Sequence, residues 1–312
     1  MKKIVSIAMN PSIDKSATVE RVIAERKLYC KMPTYEPGGG GVNVSRAIKK
    51  LGGESKLLYP SGGFSGQILN DLLEKEKIDH NPFSINGAIR ENLIILEEST
   101  GLQYRFSMPG PVLREEEWLR CLEELRNIKP EPDYIVASGS LPFGVPEDFY
   151  ALIARIGKEK SIRVIVDAPA KNLKPVLNEG VYLIKPNIRE FREIFNGKIR
   201  EEPQVKERAK AIVEAGQSEV VVISLGAGGV ILAFDGTIEH ILAQAVPVIS
   251  KVGAGDSMVA GIVLSLARGM GEYQAIKFGV AAGTAAVMTP GTELCRREDT
   301  ERLYQEMASD SR

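Results

Sequence analysis

The chain has 312 residues, enough for two domains or for one large α/β domain with an added lobe, and it can bury a core without staples. Lys and Arg total 40 and Asp and Glu total 41, a net charge of −1, which argues against a surface built to coat nucleic acid. Two histidines and three scattered cysteines (Cys30, Cys121, Cys295) offer no zinc site or disulfide framework and point to a reducing cytoplasm.

Taken in chain order, short β-branched runs predict strands at 4–8, 134–138, 163–167, 181–184, 220–224 and 230–234. Helix-period segments lie between several of them, at 43–51, 66–77, 115–127, 147–158 and 205–215. The first run is too short for a signal peptide and stops at Asn10-Pro11. No stretch approaches the ~18 apolar residues of a membrane span. Tyr134-Ile135-Val136-Ala137 and Val164-Ile165-Val166 are continuously apolar, as strands covered on both faces require. This alternation predicts βαβ units on a mostly parallel sheet. The last third reads as helices at 255–268, 272–288 and 297–307, then a frayed tail, Ser309-Asp310-Ser311-Arg312. Two regions break the pattern. Residues 15–35 and 89–108 are strand-rich with polar faces, and Glu98-Ser99-Thr100-Gly101 predicts a hairpin turn in the second. We read the two as one small sheet, a discontinuous lid on a single α/β domain over residues 1–312.

No GxxxxGK(S/T) loop, GxGxxG fingerprint or GxSxG elbow occurs, so P-loop, Rossmann dinucleotide and α/β-hydrolase chemistry find no support. Four glycine-bearing segments remain. Glu36-Pro37-Gly38-Gly39-Gly40-Gly41-Val42-Asn43 leads into a helix predicted to start near Asn43. Glycines admit a ligand to bare backbone, and amides at a helix start donate to anionic or hydroxyl-rich ligands; this reading is favoured over a surface turn. Val252-Gly253-Ala254-Gly255-Asp256-Ser257 opens an apolar helix whose first amides form an anion hole for a phosphoryl group in transit. Asp256 falls in or just before the first turn, where amides and dipole hold it ionised. Spacing alone leaves it open between a general base and an N-cap. Lys185-Pro186-Asn187-Ile188-Arg189-Glu190 reads by itself as a capping box. The functional alternative sets Asn187 and Glu190 beside a hydrated magnesium ion. Ser224-Leu225-Gly226-Ala227-Gly228-Gly229 reads alone as a hairpin turn, or beside a nucleotide as backbone offered to the ATP phosphates. Asn10-Pro11-Ser12-Ile13-Asp14 and Ser138-Gly139-Ser140-Leu141-Pro142 follow strands, where open α/β sheets bind ligands. Lys27, Arg90 and Arg105 lie in the lid. Exposed cations there are usually solvated charge; the alternative is contact with an acidic substrate.

The order GGGGVN, SGSLP, KPNxxE, SLGxxG, VGAGDS resembles the ribokinase-like (PfkB) family of carbohydrate kinases. The likeness runs over essentially the whole chain, from Asn10 to Cys295, and the VGAGDS box is very specific for that family. Residues 35–41 (YEPGGGG), 103–110 (QYRFSMPG) and 278–283 (FGVAAG) are similar to its 6-phosphofructokinase branch. Neighbouring 1-phosphofructokinases and tagatose-6-phosphate kinases typically carry Lys where this chain has Gly40. The resemblance implies a three-layer α/β/α fold with a small β-sheet lid, and ATP- and magnesium-dependent phosphorylation of fructose 6-phosphate. It makes Asp256 the base that takes the proton of the carbon-1 hydroxyl, with Gly253, Ala254 and Gly255 as the anion hole. It gives sugar hydroxyls to Asp14, Gly38, Gly39, Gly40, Gly41 and Asn43, and the sugar end or its phosphate to Arg90, Ser140, Lys27 and Arg105. Lys185, Asn187, Ser224, Gly226, Gly228, Val280 and Thr284 fall to ATP, and Glu190 to magnesium through water. Ser250, Val252, Ala286 and Gly291 match the monovalent-cation loop, whose usual occupant is potassium. Thr289-Pro290 and Glu293 stand there in place of the Asn-Gln and Arg of the similar branch. A homodimer through the lid sheet is implied, with no nucleic acid or membrane partner. The alternatives are a tagatose-6-phosphate kinase, a 1-phosphofructokinase and, from another class, a non-catalytic sugar-phosphate sensor, which has no need of Asp256. A nucleoside kinase is weaker, since the chain is only 6% aromatic and has no aromatic in the glycine run.

Overall fold

The apolar runs pair into a large sheet in the computed structural model, which describes residues 2–309. The chain begins with β1 (Ile4–Ile7), β2 (Ser12–Val19), β3 (Thr34–Gly38), α1 (Gly40–Lys50), β4 (Lys56–Ser61), α2 (Gly63–Lys75) and β5 (Asp79–Ser84). It continues through β6 (Arg90–Glu97), β7 (Gln103–Phe106), α3 (Glu115–Asn127), β8 (Tyr134–Ser138), α4 (Phe149–Glu159), β9 (Arg163–Asp167) and α5 (Ala170–Glu179). Then follow β10 (Val181–Ile184), α6 (Ile188–Ile194), α7 (Glu202–Glu214), β11 (Ser218–Ser224), β12 (Val230–Phe234) and β13 (Thr237–Ile241). Three helices come last: α8 (Ala254–Ala267), α9 (Glu272–Val287) and α10 (Arg297–Ser309). The frayed-tail expectation falls, from residue 310 on, outside the described residues.

The large sheet has the order β13-β12-β11-β10-β9-β8-β1-β4-β5. It is parallel from β11 to β5, and β12 and β13 run antiparallel at one edge. Successive strand residues feed two cores. Ile135 and Ala137 enter one, Tyr134 and Val136 the other. Helices α2 to α7 cover the first through residues such as Leu69, Phe149, Leu173 and Val205. Helices α1, α8, α9 and α10 cover the second through Val44, Val259, Ile276 and Leu303. Each fully buried aliphatic side chain contributes about 1.5–3 kcal/mol, which is why the central strands are apolar on both faces. The expected three-layer α/β/α architecture therefore holds. Among the described residues, no helix is long and apolar enough to cross a membrane.

A second sheet has the order β3-β2-β6-β7, with the hairpin at 98–101 joining its last two strands. Its extent differs from the reading over 15–35 and 89–108. β2 already starts at Ser12, and residues 20–33 are loop. Glu97, only 4% exposed, pins that loop to the hairpin. Its carboxylate accepts from Val22 N at 3.0 Å, Thr100 Oγ1 at 2.9 Å and Tyr104 Oη at 3.0 Å.

Periodicity missed β4, β5, β13, α5 and α6. β5 carries Pro82 and is the outermost strand, where a missing N–H is tolerated. α5 contains Pro175, which reads as an interruption, and α6 has only 7 residues, too few to display a period.

Candidate active site

Helix α8 opens on Gly253, an N-cap in the left-handed region at φ +71 with no side-chain cap bond. A Cβ there would fall 2.3 Å from Leu294 Cδ2, so glycine is required by conformation and by space. Because Gly253 is the cap, Asp256 sits in the first helical turn and the N-cap reading of it is overturned. Its Oδ2 accepts from Asn43 Nδ2 at 2.9 Å. Burial, and after it the charge of Asp167, push the Asp256 carboxyl up to about 6, against the pull of Asn43 and Lys185. The expectation that helix amides hold it down is corrected: the surroundings disfavour its charge. Such a carboxylate is ionised at neutral pH and basic enough to take a proton.

Asn43 arrives there on α1. This helix starts at Gly40, three residues earlier than its expected start, after Gly39 at φ +100. The glycine run is thus partly inside the helix, and its use is close approach. A Cβ on Gly40 would lie 2.6 Å from Ser138 Oγ and 2.9 Å from Gly139 N. One on Gly38 would lie 2.6 Å from the Asp14 carboxyl. Gly40→Ala is expected to cost about 1–3 kcal/mol by overpacking, read as a lower midpoint of urea denaturation. Asp14, 6% exposed, accepts from Ser12 Oγ at 2.9 Å and Asn92 Nδ2 at 2.8 Å. Arg90 donates from Nη2 to Asn10 O at 3.1 Å; burial lowers its pKa while Asp14 pulls the other way. Asn10 Nδ2 donates to Ser140 Oγ at 3.1 Å. Asp14, Arg90, Ser140 and the glycine run therefore form one wall. Asn10 Oδ1, Asn43 Oδ1 and Ser138 Oγ are buried along it without a protein partner, which suits a hydroxyl-rich ligand.

The other wall follows β9, β10 and β11. Lys185, 4% exposed, places Nζ 3.1 Å from Asp167 Oδ1, beside Gly255 at the start of α8. Burial works against its charge, but Asp167, Glu190 and Asp256 together outweigh it and raise the ammonium's pKa. Asn187 and Glu190 make the capping box: Asn187 Oδ1 accepts from Arg189 N and Glu190 N, both at 2.9 Å, and Glu190 Oε2 accepts from Asn187 N at 2.8 Å. The Glu190 carboxyl is pushed up by burial, and Asp167 adds to the rise. A carboxylate whose charge is disfavoured by burial and by a second carboxylate gains from a cation beside it. Among the described residues no three or more acidic, His or Cys groups converge as a metal cage. Magnesium, which keeps most of its waters, needs only one or two carboxylates, so these residues suit it. Ser224 lies beside Asn187 through a parallel bridge, and Gly226 and Gly228 follow in a tight 3₁₀ turn.

Some expected residues are not brought here. Lys27 lies in the exposed 20–33 loop over the Tyr29 ring, and Arg105 is exposed on β7, the edge strand of the small sheet. Val280 is 1% exposed, and its side chain packs α9 in the second core. Thr284 turns its hydroxyl back to Val280 O at 2.8 Å. The FGVAAG segment fits α9 against α8: a Cβ on Gly279 would meet Ile262 Cγ1 at 2.4 Å. The loop holding Ser250 and Val252 adjoins the end of α9, with Ala286, and the loop after it, with Gly291. Ser250 Oγ donates to Gly291 O at 3.1 Å, and Ile249 N to Val287 O at 2.8 Å. Thr289 Oγ1 lies 2.8 Å from Ala286 O and 2.9 Å from Leu294 O. The donor set is oxygen throughout, which suits an alkali cation. The sequence reading missed Asp167 and Asn92. Asp167 had a signal, an acid closing an apolar strand at its carboxyl end; Asn92 had none, being one polar residue in a mixed strand.

The family model for pfkB family carbohydrate kinases matches residues 1–299. The chain is 38% identical over 303 residues to an ATP-dependent 6-phosphofructokinase isozyme 2 of Mycobacterium tuberculosis, covering 97% of this chain and 89% of that protein. It is 36% identical over 305 residues to the isozyme 2 of Escherichia coli K12, covering 97% and 98%. A 1-phosphofructokinase of Bacillus subtilis and a tagatose-6-phosphate kinase of Staphylococcus epidermidis are more distant, at 30% and 28%, each with 97% of this chain and 98% of theirs covered. A crystal structure of E. coli phosphofructokinase-2 in complex with potassium superposes with a TM-score of 0.95 at 36% identity, covering 99% of this chain and all of that one. On site, fold and sequence alike, the chain belongs to the pfkB family of carbohydrate kinases.

Proposed function

We propose that this kinase is an ATP-dependent 6-phosphofructokinase, carrying the γ-phosphoryl group of ATP to the carbon-1 hydroxyl of fructose 6-phosphate. The observation that carries the reading is the Asp256 carboxylate, raised to about 6 at the start of α8 and held by Asn43 from the glycine-run helix. Asp256 takes the hydroxyl proton as the sugar oxygen bonds to the γ-phosphorus and the bond to the ADP oxygen breaks. The amides of Gly253, Ala254 and Gly255, with Lys185, meet the negative charge of the transferring group. Asp14, Asn43, Arg90 and Ser140 orient the sugar phosphate; Asn187, Ser224, Gly226 and Gly228 orient the nucleotide. Magnesium, when bound, neutralises phosphate charge, and Glu190 and Asp167 hold its waters. Glu190→Gln is expected to raise the magnesium concentration for half-maximal rate by about tenfold or more. A magnesium titration of the initial rate reads this.

The test of specificity is a panel of fructose 6-phosphate, tagatose 6-phosphate and fructose 1-phosphate with ATP, in potassium and in tetramethylammonium salts. The highest kcat/KM is expected with fructose 6-phosphate in potassium. A preference for another sugar overturns the specificity, equal rates in both salts overturn the potassium site, and no sugar-dependent ATP consumption favours a sensor.

We also place the protein in the cytoplasm as a homodimer through the small sheet. Its cysteines are free, two of them buried, which suits a reducing compartment. The small sheet and its loops leave Tyr35, Leu96, Leu102 and Phe106 exposed, an apolar surface that a second copy covers. Leu96→Glu with Phe106→Glu is expected to shift the sedimenting species from dimer to monomer; a wild-type chain already monomeric at micromolar concentration argues against the dimer.

A further inference from the structure

We infer that the protein has a second anion site, for a small phosphorylated ligand, where the amino ends of β1, β4 and β5 meet, at the other end of the strands from Asp256. A cleft of about 600 Å³ opens there, within the roughly 300–1,000 Å³ of small-molecule sites. Six lysines line it: Lys2, Lys3, Lys49, Lys56, Lys77 and Lys129. Only two carboxylates do, Glu54 and Asp79. Asp79 pairs with Lys56 at 2.8 Å. None of the other five lysines has an ion-pair partner among the described residues, and Lys2 lies over the Tyr134 ring. On a chain of net charge −1, this positive excess in one concavity is a local feature.

Compensation of helix dipoles accounts for half of it. Lys49 is in the last turn of α1, and Lys77 and Lys129 stand two residues past the ends of α2 and α3, but Lys2 and Lys3 precede β1 and Lys56 opens β4. The floor carries hydroxyls as well as charge. Ser45, 1% exposed, accepts from Ser55 Oγ at 3.1 Å, and both line the cleft. Lysine ammonium groups around a hydroxyl pair are the donors that phosphate oxygens take, and a carboxylate-poor rim excludes cations. Elsewhere, Lys206 and Lys210 on α7 pair with Glu202 and Glu214 at i,i+4 spacing, and Lys31 pairs with Glu98.

The test is calorimetric titration of the full chain with inorganic pyrophosphate, with the catalytic site filled by ADP and fructose 6-phosphate. One binding event per chain is expected, weakening as salt is raised. Lys3→Gln/Lys77→Gln/Lys129→Gln should weaken it by about tenfold or more, since each removed ammonium takes away a charged hydrogen bond. These side chains are exposed, so the circular dichroism spectrum and the saturated turnover rate should match the parent. A parallel titration with ADP alone separates the sources: two sites per chain mean that nucleotides occupy the cleft, and one means that only non-nucleotide phosphates do. Absence of a pyrophosphate event with the catalytic site filled, together with a single ADP site per chain, overturns the inference, as does equal affinity in the triple variant.

Discussion

Replacing Asp256 by Asn is expected to lower kcat by about 10²–10⁴-fold, the range that a positioned general base supplies. KM for either substrate should change little, because Asn keeps the shape and can still accept from Asn43 Nδ2. The same substitution should raise the thermal stability of the ligand-free protein at pH 8. Folding lifts this carboxyl from 3.8 to about 6, so the folded chain holds the proton more tightly than the unfolded chain. The cost of keeping the charge is complete above about pH 6, shrinks as pH falls toward 4 and is absent below. The gain in Tm from Asn should therefore disappear near pH 4. In the parent, kcat/KM should fall as pH drops through about 6, since the base must be deprotonated. A variant with parental turnover removes Asp256 as the base. A variant less stable than its parent at pH 8 removes the electrostatic account while leaving the base in place.

Lys185→Gln should produce the next largest effect, and of the opposite sign on stability. The Lys185 ammonium is buried 3.1 Å from Asp167 and also faces Glu190 and Asp256. Taking it away leaves carboxylates without their cation, a loss of about 3–5 kcal/mol when a buried pair is broken. Lys185 also holds the Asp256 pKa down, so the acid limb of kcat/KM should move to higher pH. Turnover should fall about 10²–10³-fold, as expected when a donor facing the transferring group is lost. Urea denaturation reads the first effect and the pH profile the second. An unmoved limb would falsify the coupling between Lys185 and Asp256.

What could be read from residues alone was local. The capping box at Asn187 and Glu190 was legible because both partners lie within one turn. The central strands were legible because burial on two faces makes them continuously apolar. Contacts between distant segments left no such trace. The Asn43–Asp256 bond spans 213 positions, and no spacing pattern reaches so far. Asp167 matters only because β9 and β10 are neighbours that set it against Lys185. The packing of Val280 was hidden for the converse reason: a motif resemblance names a segment, while which of its side chains enter the core is decided by the other helices around α9.

The bond from Asn43 to Asp256 also has a consequence for how the protein is made. Synthesis delivers α1 early and α8 late, so the catalytic pair cannot exist until most of the chain has emerged. Until then Val44 and Ile48 on α1 lack the α8 side chains with which they share a core, and remain open to other apolar surfaces. A chain cut short before Ala254 is thus inert and adhesive at once. For this protein, an incomplete product is a hazard to be cleared and never a weakly active enzyme.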